Sequence, residues 1–178
     1  MNRIRIIGSM LCVYALLAGG WCHAQKGQAS APVNLLDRLA GDWVLKGSLG
    51  GKESTHDIHA DWVLNHEYLR LHEVSREKND KGGPSYEAIV FINWNVKTQE
   101  FDCLWLDSTG GGGLSAQTIG HAKYSDASIP FIFTISPEES LQTTFRYESS
   151  SDTWEWTIDD VNKGKTDRFA SVKLTRGR

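Results

Sequence analysis

Four histidines lie close together along the chain and are the first candidates for metal or haem chemistry. His56, His59, His66 and His72 fall within one stretch of 17 residues. Histidine is the commonest metal ligand in proteins, so this clustering raises the question of a metal centre. On an unbroken strand, however, His56 and His59 face opposite sides, and His66 and His72 are about 20 Å apart. Because no pair has ligand spacing within one strand, we predict no metal ion and no other cofactor.

Asp107 is a candidate for a polar group in a ligand site or for a general acid or base. It shares one face of a predicted strand with Phe101, Cys103 and Trp105, and that face carries the bulkier aromatic residues. We therefore expect Asp107 to point inward at one end of the strand. The alternative role for Asp107 is to cap the turn that follows, as Asp often does.

Glu87 and His72 are polar candidates whose orientation the residue pattern leaves open. Tyr86–Trp94 is apolar on both of its faces, so Glu87 points inward on only one of two possible alternations. The same ambiguity applies to the segment Glu67–Ser75, which contains His72. Cys103 lies among large apolar residues with no neighbouring base, and no Gly-x-Ser-x-Gly motif is present, so nucleophilic catalysis is disfavoured.

The composition limits the classes of protein to which the chain can belong. Its 178 residues are 40% hydrophobic with a net charge of −3, which suits one folded domain and excludes a disordered chain. No stripe of Lys and Arg is present, so we predict no nucleic-acid partner. Seven Trp residues against three Cys and four Pro predict an aromatic interior.

The first 24 residues are predicted to be a cleaved secretory signal peptide. A basic start with Arg3 and Arg5 precedes an apolar run over residues 6–21, and a small residue, Ala24, precedes the expected cut. A lipoprotein anchored through Cys22 is disfavoured because Trp21, and not a small residue, stands before it. We predict no membrane span after cleavage.

Removal of this segment changes the charge and the cysteine content. It takes away two of the 19 Lys and Arg residues and none of the 22 Asp and Glu residues, which brings the net charge to −5. Six Trp residues remain, and Cys103 is the one remaining cysteine. An exported domain with one cysteine has no internal disulfide. This combination predicts a periplasmic or secreted bacterial protein.

The rest of the chain predicts one short helical turn followed by strands. Residues 25–33 are expected to be a flexible lead-in, and Asn34 is expected to cap a turn over Leu35–Leu39. Period-2 segments separated by turn residues then follow: Trp43–Leu49, Thr55–Leu64, Glu67–Ser75, Tyr86–Trp94, Phe101–Asp107, Leu114–Tyr124, Pro130–Ile135, Leu141–Tyr147, Trp154–Val161 and Arg168–Leu174. About ten regularly spaced strands predict an all-β antiparallel meander that closes into a barrel over residues 34–178. The alternative immunoglobulin-like sandwich lacks its paired cysteines here.

Several short motifs, in order, resemble a known family. Gly41-Asp42-Trp43, after the leucine-rich turn, resembles the Gly-x-Trp signature of the lipocalin and calycin barrels. More closely, the chain resembles a bacterial lipocalin-like family of unknown function, which continues with segments similar to Trp62–Leu64, Tyr86–Ile89 and Trp105–Asp107. The similarity covers about residues 35–174. It implies a barrel with a central cavity and with Trp43 as the plug at one end, and it implies no known reaction.

These observations predict an exported lipocalin-like β-barrel that binds a small, largely apolar molecule in its cavity. The predicted walls and polar groups of the cavity are Trp62, Trp105, Trp156, Asp107, His72 and Glu87. One alternative is an enzyme that acts on a small molecule in the same cavity, with Asp107 or Glu87 as general acid or base. Others are a haem or metal barrel that uses one His, and a filled barrel that binds partners on its outer face. A homo-oligomer stays open as an alternative to a monomer.

Overall fold

The computed structural model describes residues 31–110, 114–125 and 127–177. The predicted signal peptide and residues 25–30 of the predicted lead-in lie outside the described residues. The elements are α1 (Ala31–Leu39), β1 (Gly41–Leu49), β2 (Lys52–Val63), β3 (Tyr68–Ser75), β4 (Glu87–Asn95), β5 (Glu100–Asp107), a 3-10 turn (Ala116–Thr118), β6 (Ile119–Lys123), β7 (Ser128–Ser136), β8 (Glu139–Glu148), β9 (Thr153–Asn162) and β10 (Lys165–Arg176). None of the helices in these described ranges has the length and apolar character needed to cross a membrane.

The ten strands form one closed antiparallel barrel. Each strand pairs with the next one along the chain, and β10 pairs back to β1 from Trp43–Arg176 to Leu49–Ala170. Closure leaves no strand of the barrel with an unpaired edge, which removes the surface on which β-proteins aggregate. The predicted all-β meander barrel of about ten strands is confirmed.

Side chains alternate between the interior of the barrel and its outer face. On β3 and β4 the buried positions are Leu69, Leu71, Glu73, Ser75, Ala88, Val90 and Ile92. This alternation decides the two orientations that the sequence left open, because it places His72 and Glu87 on the outer face. On β5, Phe101 and Cys103 are buried, so the face predicted to point inward does so.

Helix α1 packs against one end of the barrel and closes it. The helix begins at Ala31, three residues before the predicted cap Asn34, so the end of the predicted lead-in is helical. Pro32 is compatible with this start because a proline in the first helical turn lacks only an N–H group that would have no partner there. Leu36 and Leu39 are fully buried against the strands.

The segment before β6 departs from the predicted strand pattern. The residue alternation predicts one strand over Leu114–Tyr124, but only Ile119–Lys123 forms a strand. Ala116–Thr118 form a 3-10 turn, in which the Thr118 hydroxyl donates a hydrogen bond to the carbonyl of Ser115 at 2.7 Å. Hydrogen bonds of this kind compete with strand pairing, so alternation alone predicts too long a strand.

Candidate functional site

A cavity of about 520 Å³ opens at the end of the barrel opposite α1. Its apolar lining includes Tyr86, Trp105, Phe133, Leu141, Trp156 and Ile158. Its polar lining includes His56, Glu73, Asp107, Thr143 and Asp160. A cavity of this size, mostly apolar with a few polar groups that converge on it, is typical of a site for a small molecule.

Aromatic rings from three strands form the main wall of the cavity. The ring centres of Trp105 on β5 and Trp156 on β9 are 5.4 Å apart, and Trp105 meets the ring of Phe133 on β7 edge-on at 6.4 Å. Trp156 also stacks on the buried ring of Phe145 at 4.8 Å. Such ring pairs stabilise one another beyond the area they bury, so this wall is a rigid surface.

Two irregularities in strand pairing shape the mouth of the cavity. The register of β10 shifts between Arg168 and Ala170, and that of β7 shifts between Thr134 and Ser136. Phe169 and Ile135 lie between the paired positions. Both line the cavity, although 51% of Phe169 and 43% of Ile135 is exposed. Bulges often redirect a side chain beside a functional site. The mouth therefore carries an apolar rim.

A buried histidine–glutamate pair lies within the cavity wall. The Nδ1 atom of His56 and the Oε1 atom of Glu73 are 2.5 Å apart, and both side chains are almost fully buried. Burial raises the pKa of Glu73 above its ordinary value; the hydrogen bond from His56 opposes this increase and the charge of Asp107 adds to it. A carboxylate that holds one ring nitrogen orients the other nitrogen toward a substrate or ligand. Both residues line the cavity, so the pair adds a fixed polar group to its wall.

Tyr86 links this pair to the aromatic wall. Its ring stacks on that of His56 with centres 5.6 Å apart, and its hydroxyl accepts a hydrogen bond from the indole nitrogen of Trp105 at 3.3 Å. Burial, followed by the charges of Glu73 and Asp107, raises the pKa of Tyr86 far above its ordinary value. The phenol consequently stays protonated and can donate a hydrogen bond.

Asp107 lines the cavity and also stabilises the turn after β5. Its Oδ1 atom accepts hydrogen bonds from the backbone N–H of Thr109 at 2.7 Å and of Gly110 at 2.9 Å, and from the Thr109 hydroxyl at 2.6 Å. Both roles considered from the sequence, the inward-facing carboxylate and the turn cap, thus occur together. The Oδ2 atom makes no hydrogen bond to the described residues.

The indole N–H of Trp156 is buried without a hydrogen-bond partner. Trp156 is 2% exposed and lines the cavity, and its Nε1 atom is the one buried side-chain nitrogen or oxygen of the described residues that lacks a partner. An indole nitrogen can only donate. A buried donor without an acceptor costs about 1–3 kcal/mol, so an acceptor atom placed beside it would recover this energy.

The structure brings three of the predicted cavity residues together and separates the other three from them. Trp105, Asp107 and Trp156 all line the cavity. His72 and Glu87 form an exposed pair on the outer face, with His72 Nε2 and Glu87 Oε1 2.7 Å apart.

Trp62 and the predicted plug Trp43 lie at the end closed by α1. The indole of Trp62 donates to Asp37 at 2.8 Å, and its ring stacks on His66 with centres 4.0 Å apart. Trp43 is buried, and its indole donates to the carbonyl of Leu39 at 2.7 Å. These contacts attach the strands to the helix.

The other histidines are spread over the molecule. Each of His59, His66 and His121 is more than half exposed and paired with a carboxylate outside the cavity. Within the described ranges no three His, Cys, Asp or Glu side chains are grouped as metal ligands. Cys103 is fully buried, and burial raises the pKa of its thiol far above the ordinary value, so the thiol packs as an apolar group.

Sequence reasoning did not select His56, Glu73 or Tyr86 as cavity residues. The signal for His56 was its alternation with Ile58, Ala60 and Trp62, which form one apolar face of the predicted strand Thr55–Leu64. Glu73 alternates with Leu69 and Leu71, so it is a charged residue on an otherwise apolar face. Each signal becomes decisive only when the alternation of the neighbouring strand is known.

Comparison with known proteins supports the fold. The sequence matches none of the known protein-family models, and no curated protein matches it significantly. Among solved structures, the chain is similar to the crystal structure of Rv2717c from M. tuberculosis, with a TM-score of 0.57 and 15% sequence identity. The similarity covers 85% of this chain and 100% of that one. At this level of identity it concerns the barrel fold alone.

Proposed function

We propose that this protein is an exported, lipocalin-like barrel that binds a small, largely apolar molecule in the cavity at its open end. The observation that carries the proposal is the cavity of about 520 Å³ with an aromatic wall and an unsatisfied indole donor. A protein interior is normally close-packed and its buried polar groups are paired. A cavity that departs from both rules is better explained by an occupant than by packing.

Export and the lipocalin-like character of the barrel are inferred from sequence features, and the fold is consistent with these features. The basic and apolar residues 1–24 support secretion into the periplasm. The Gly-x-Trp motif leads directly from α1 into β1, and its Trp43 lies at the closed end, as the resemblance to lipocalin-like barrels implies. The fit of these separate features to one barrel supports the assignment.

Native mass spectrometry of protein purified from the periplasm tests export and binding together. We expect the mass of a chain that begins at Gln25, together with a second species heavier by one small molecule. Quenching of Trp fluorescence by a panel of apolar compounds then measures binding, because Trp105 and Trp156 line the cavity. A chain of full length that shows no saturable quenching by any compound would contradict the proposal.

A matched pair of variants on β8 locates the binding site. Leu141 lines the cavity, whereas the next residue, Gln142, points to the outer face. Leu141→Lys introduces an amine into the apolar lining and is expected to weaken binding of neutral panel compounds at least tenfold. Gln142→Lys makes the same change in charge outside the cavity and is expected to leave the dissociation constant unchanged.

A further inference from the structure

The ionisable groups that line the cavity include three carboxyl groups and one histidine. Three carboxylates, Glu73, Asp107 and Asp160, contribute to the lining, and no Lys or Arg of the described residues does so. Two arginines on the outer face toward the open end are already paired with carboxylates there: Arg76 with Asp57 and Arg168 with Asp159. His56 is already bonded to Glu73, so an anionic ligand would enter a cavity whose described lining offers it no Lys or Arg.

Two of the carboxylates face the interior from one row of the sheet. Glu73 on β3 pairs with Ala88 on β4, which in turn pairs with Asp107 on β5. Paired residues of adjacent strands face the same side and lie about 4.7–4.9 Å apart across the sheet. The two acidic residues therefore flank a small residue, with their backbones about 10 Å apart. The carboxylate of Asp107 contributes negative potential to the same wall in which Glu73 is bonded to His56.

The rings of the cavity add a second attraction for positive charge. Trp105, Trp156 and Phe133 form one cluster, and Tyr86 and Phe169 also line the cavity. The face of an aromatic ring attracts a cation, and Trp attracts it most strongly. This attraction is independent of the carboxylates and increases when the cation is removed from water.

The Trp156 indole limits the ligand further. Because its N–H group donates and has no acceptor among the described residues, a fitting ligand offers an acceptor atom as well as a charge. The remaining lining is apolar, so the body of the ligand is flat or compact and apolar.

We infer that the cavity selects an organic cation, namely an amine carried on a flat apolar body that also bears one hydrogen-bond acceptor. The inference rests on the proposed function and narrows the class of its ligand. The ammonium group lies beside Asp107, and the ring lies against Trp105 and Trp156. The acceptor takes the indole hydrogen of Trp156.

Calorimetric titration with three matched probes tests this selectivity. The probes share a methoxynaphthalene ring and differ in one substituent, which is aminomethyl, hydroxymethyl or carboxyl. At neutral pH these are a cation, a neutral molecule and an anion of nearly the same size. We expect the amine to bind at least tenfold more tightly than the alcohol, and the acid to bind most weakly.

A second matched pair of variants assigns the selectivity to the cavity. Asp107→Asn removes the charge but keeps the Oδ1 acceptor that Thr109 and Gly110 use. It is expected to weaken binding of the amine about threefold to fivefold. Binding of the alcohol should stay unchanged. Asp102→Asn removes a carboxylate on the opposite face of β5, where Asp102 contacts His121, and should change neither constant.

The outcomes separate this inference from the function on which it rests. Binding of the alcohol or the acid as tight as that of the amine overturns the cation selectivity and leaves a binding barrel in place. If panel compounds bind but the amine does not, the cation selectivity is likewise wrong and the binding function remains. If neither the probes nor the panel bind, both the proposed function and the selectivity are wrong.

Discussion

The two ends of the barrel use the same residue types in opposite ways. At the closed end, Trp43, Trp62 and Trp154 each donate an indole hydrogen bond to a group on α1. At the open end, Trp105 donates to Tyr86, and Trp156 donates to no described residue. The last carbonyls of a helix need partners from outside the helix, and two of the closed-end indoles supply them. The closed end is thus a completed interior, and the open end is not.

The two ends of the barrel also differ in whether a cation lies against their aromatic rings. At the closed end the guanidinium of Arg176 lies 3.8 Å from the ring centre of Trp43 and also bonds to Asp152 and to the carbonyl of Ala40. At the open end, carboxylates and aromatic faces have no such cation from the described residues. Sites where local rules are broken are where function is expected. This difference agrees with the proposed function, in which the closed end contributes stability and the open end binds the ligand.

The largest effect is expected at the closed end. Trp43→Ala removes a fully buried indole and its hydrogen bond, and should lower the free energy of unfolding by about 3–5 kcal/mol. Phe169→Ala at the mouth removes a half-exposed ring and should cost less than about 1 kcal/mol. Urea denaturation of the two variants measures both values. Equal losses would show that the two ends do not divide stability and binding in this way.

A smaller and sharper contrast lies within β9, where two tryptophans are two residues apart. Trp154 donates to the carbonyl of Arg38, which also accepts from Arg176, so Trp154→Phe removes one of two hydrogen bonds and should cost about 1–1.5 kcal/mol. Trp156→Phe removes a donor that was already unpaired. Its free energy of unfolding should stay within about 1 kcal/mol of the wild type.

Ligand binding should show the reverse order. Trp156→Phe removes the hydrogen bond to the acceptor of the methoxynaphthyl amine, and should weaken its binding about tenfold. Trp154 lies away from the cavity, so Trp154→Phe should leave that dissociation constant unchanged. Urea denaturation and calorimetric titration of both variants check the two orders. If Trp154→Phe lost binding while Trp156→Phe kept it, the ligand would bind at the closed end, which contradicts the proposal.

The fold was predictable because its determinants are local. Turn residues at regular intervals separate short period-2 segments, and such a pattern favours a meander of neighbouring antiparallel strands. The inner face of β5 was also predictable, since Phe101, Cys103 and Trp105 are clearly bulkier than the residues between them. Closure followed from the number of strands and the many large aromatics.

The candidate site was predictable only in part, because it depends on which face of each strand points inward. A shift of one residue exchanges every side chain of a strand between the two faces. β4 is apolar on both faces, so Glu87 could not be distinguished from Tyr86 by pattern. The contact between His56 and Glu73 joins two strands, and its geometry follows from pairing register rather than from spacing along the chain.

The smallest expected difference compares two glutamates of neighbouring strands on opposite faces. Glu73 is buried with His56, and Glu87 is half-exposed with His72. Gln keeps the shape of Glu in both cases, so Glu73→Gln and Glu87→Gln change little except the charge. For the exposed pair, solvent screening limits the effect to less than about 1 kcal/mol at any pH.

The two variants should nevertheless differ in how their stability responds to pH. Burial raises the folded-state pKa of Glu73 above its ordinary value of 4.5, so the folded protein holds a proton that the unfolded chain has lost. The contribution of Glu73 to stability is therefore complete below pH 4.5 and is lost as the pH rises through the folded-state pKa. The stability of Glu73→Gln relative to the wild type should accordingly increase with pH, as measured by urea denaturation at about pH 4.5 and about pH 7.

Glu87→Gln serves as the control because it makes the same change of residue at a solvent-exposed position outside the cavity, and the pH response of Glu73→Gln is measured relative to it. Other carboxylates with shifted pKa values, such as Asp57 and Asp152, are present in every chain and cancel in the difference. A relative stability of Glu73→Gln that falls with pH would mean that His56 holds Glu73 as a carboxylate.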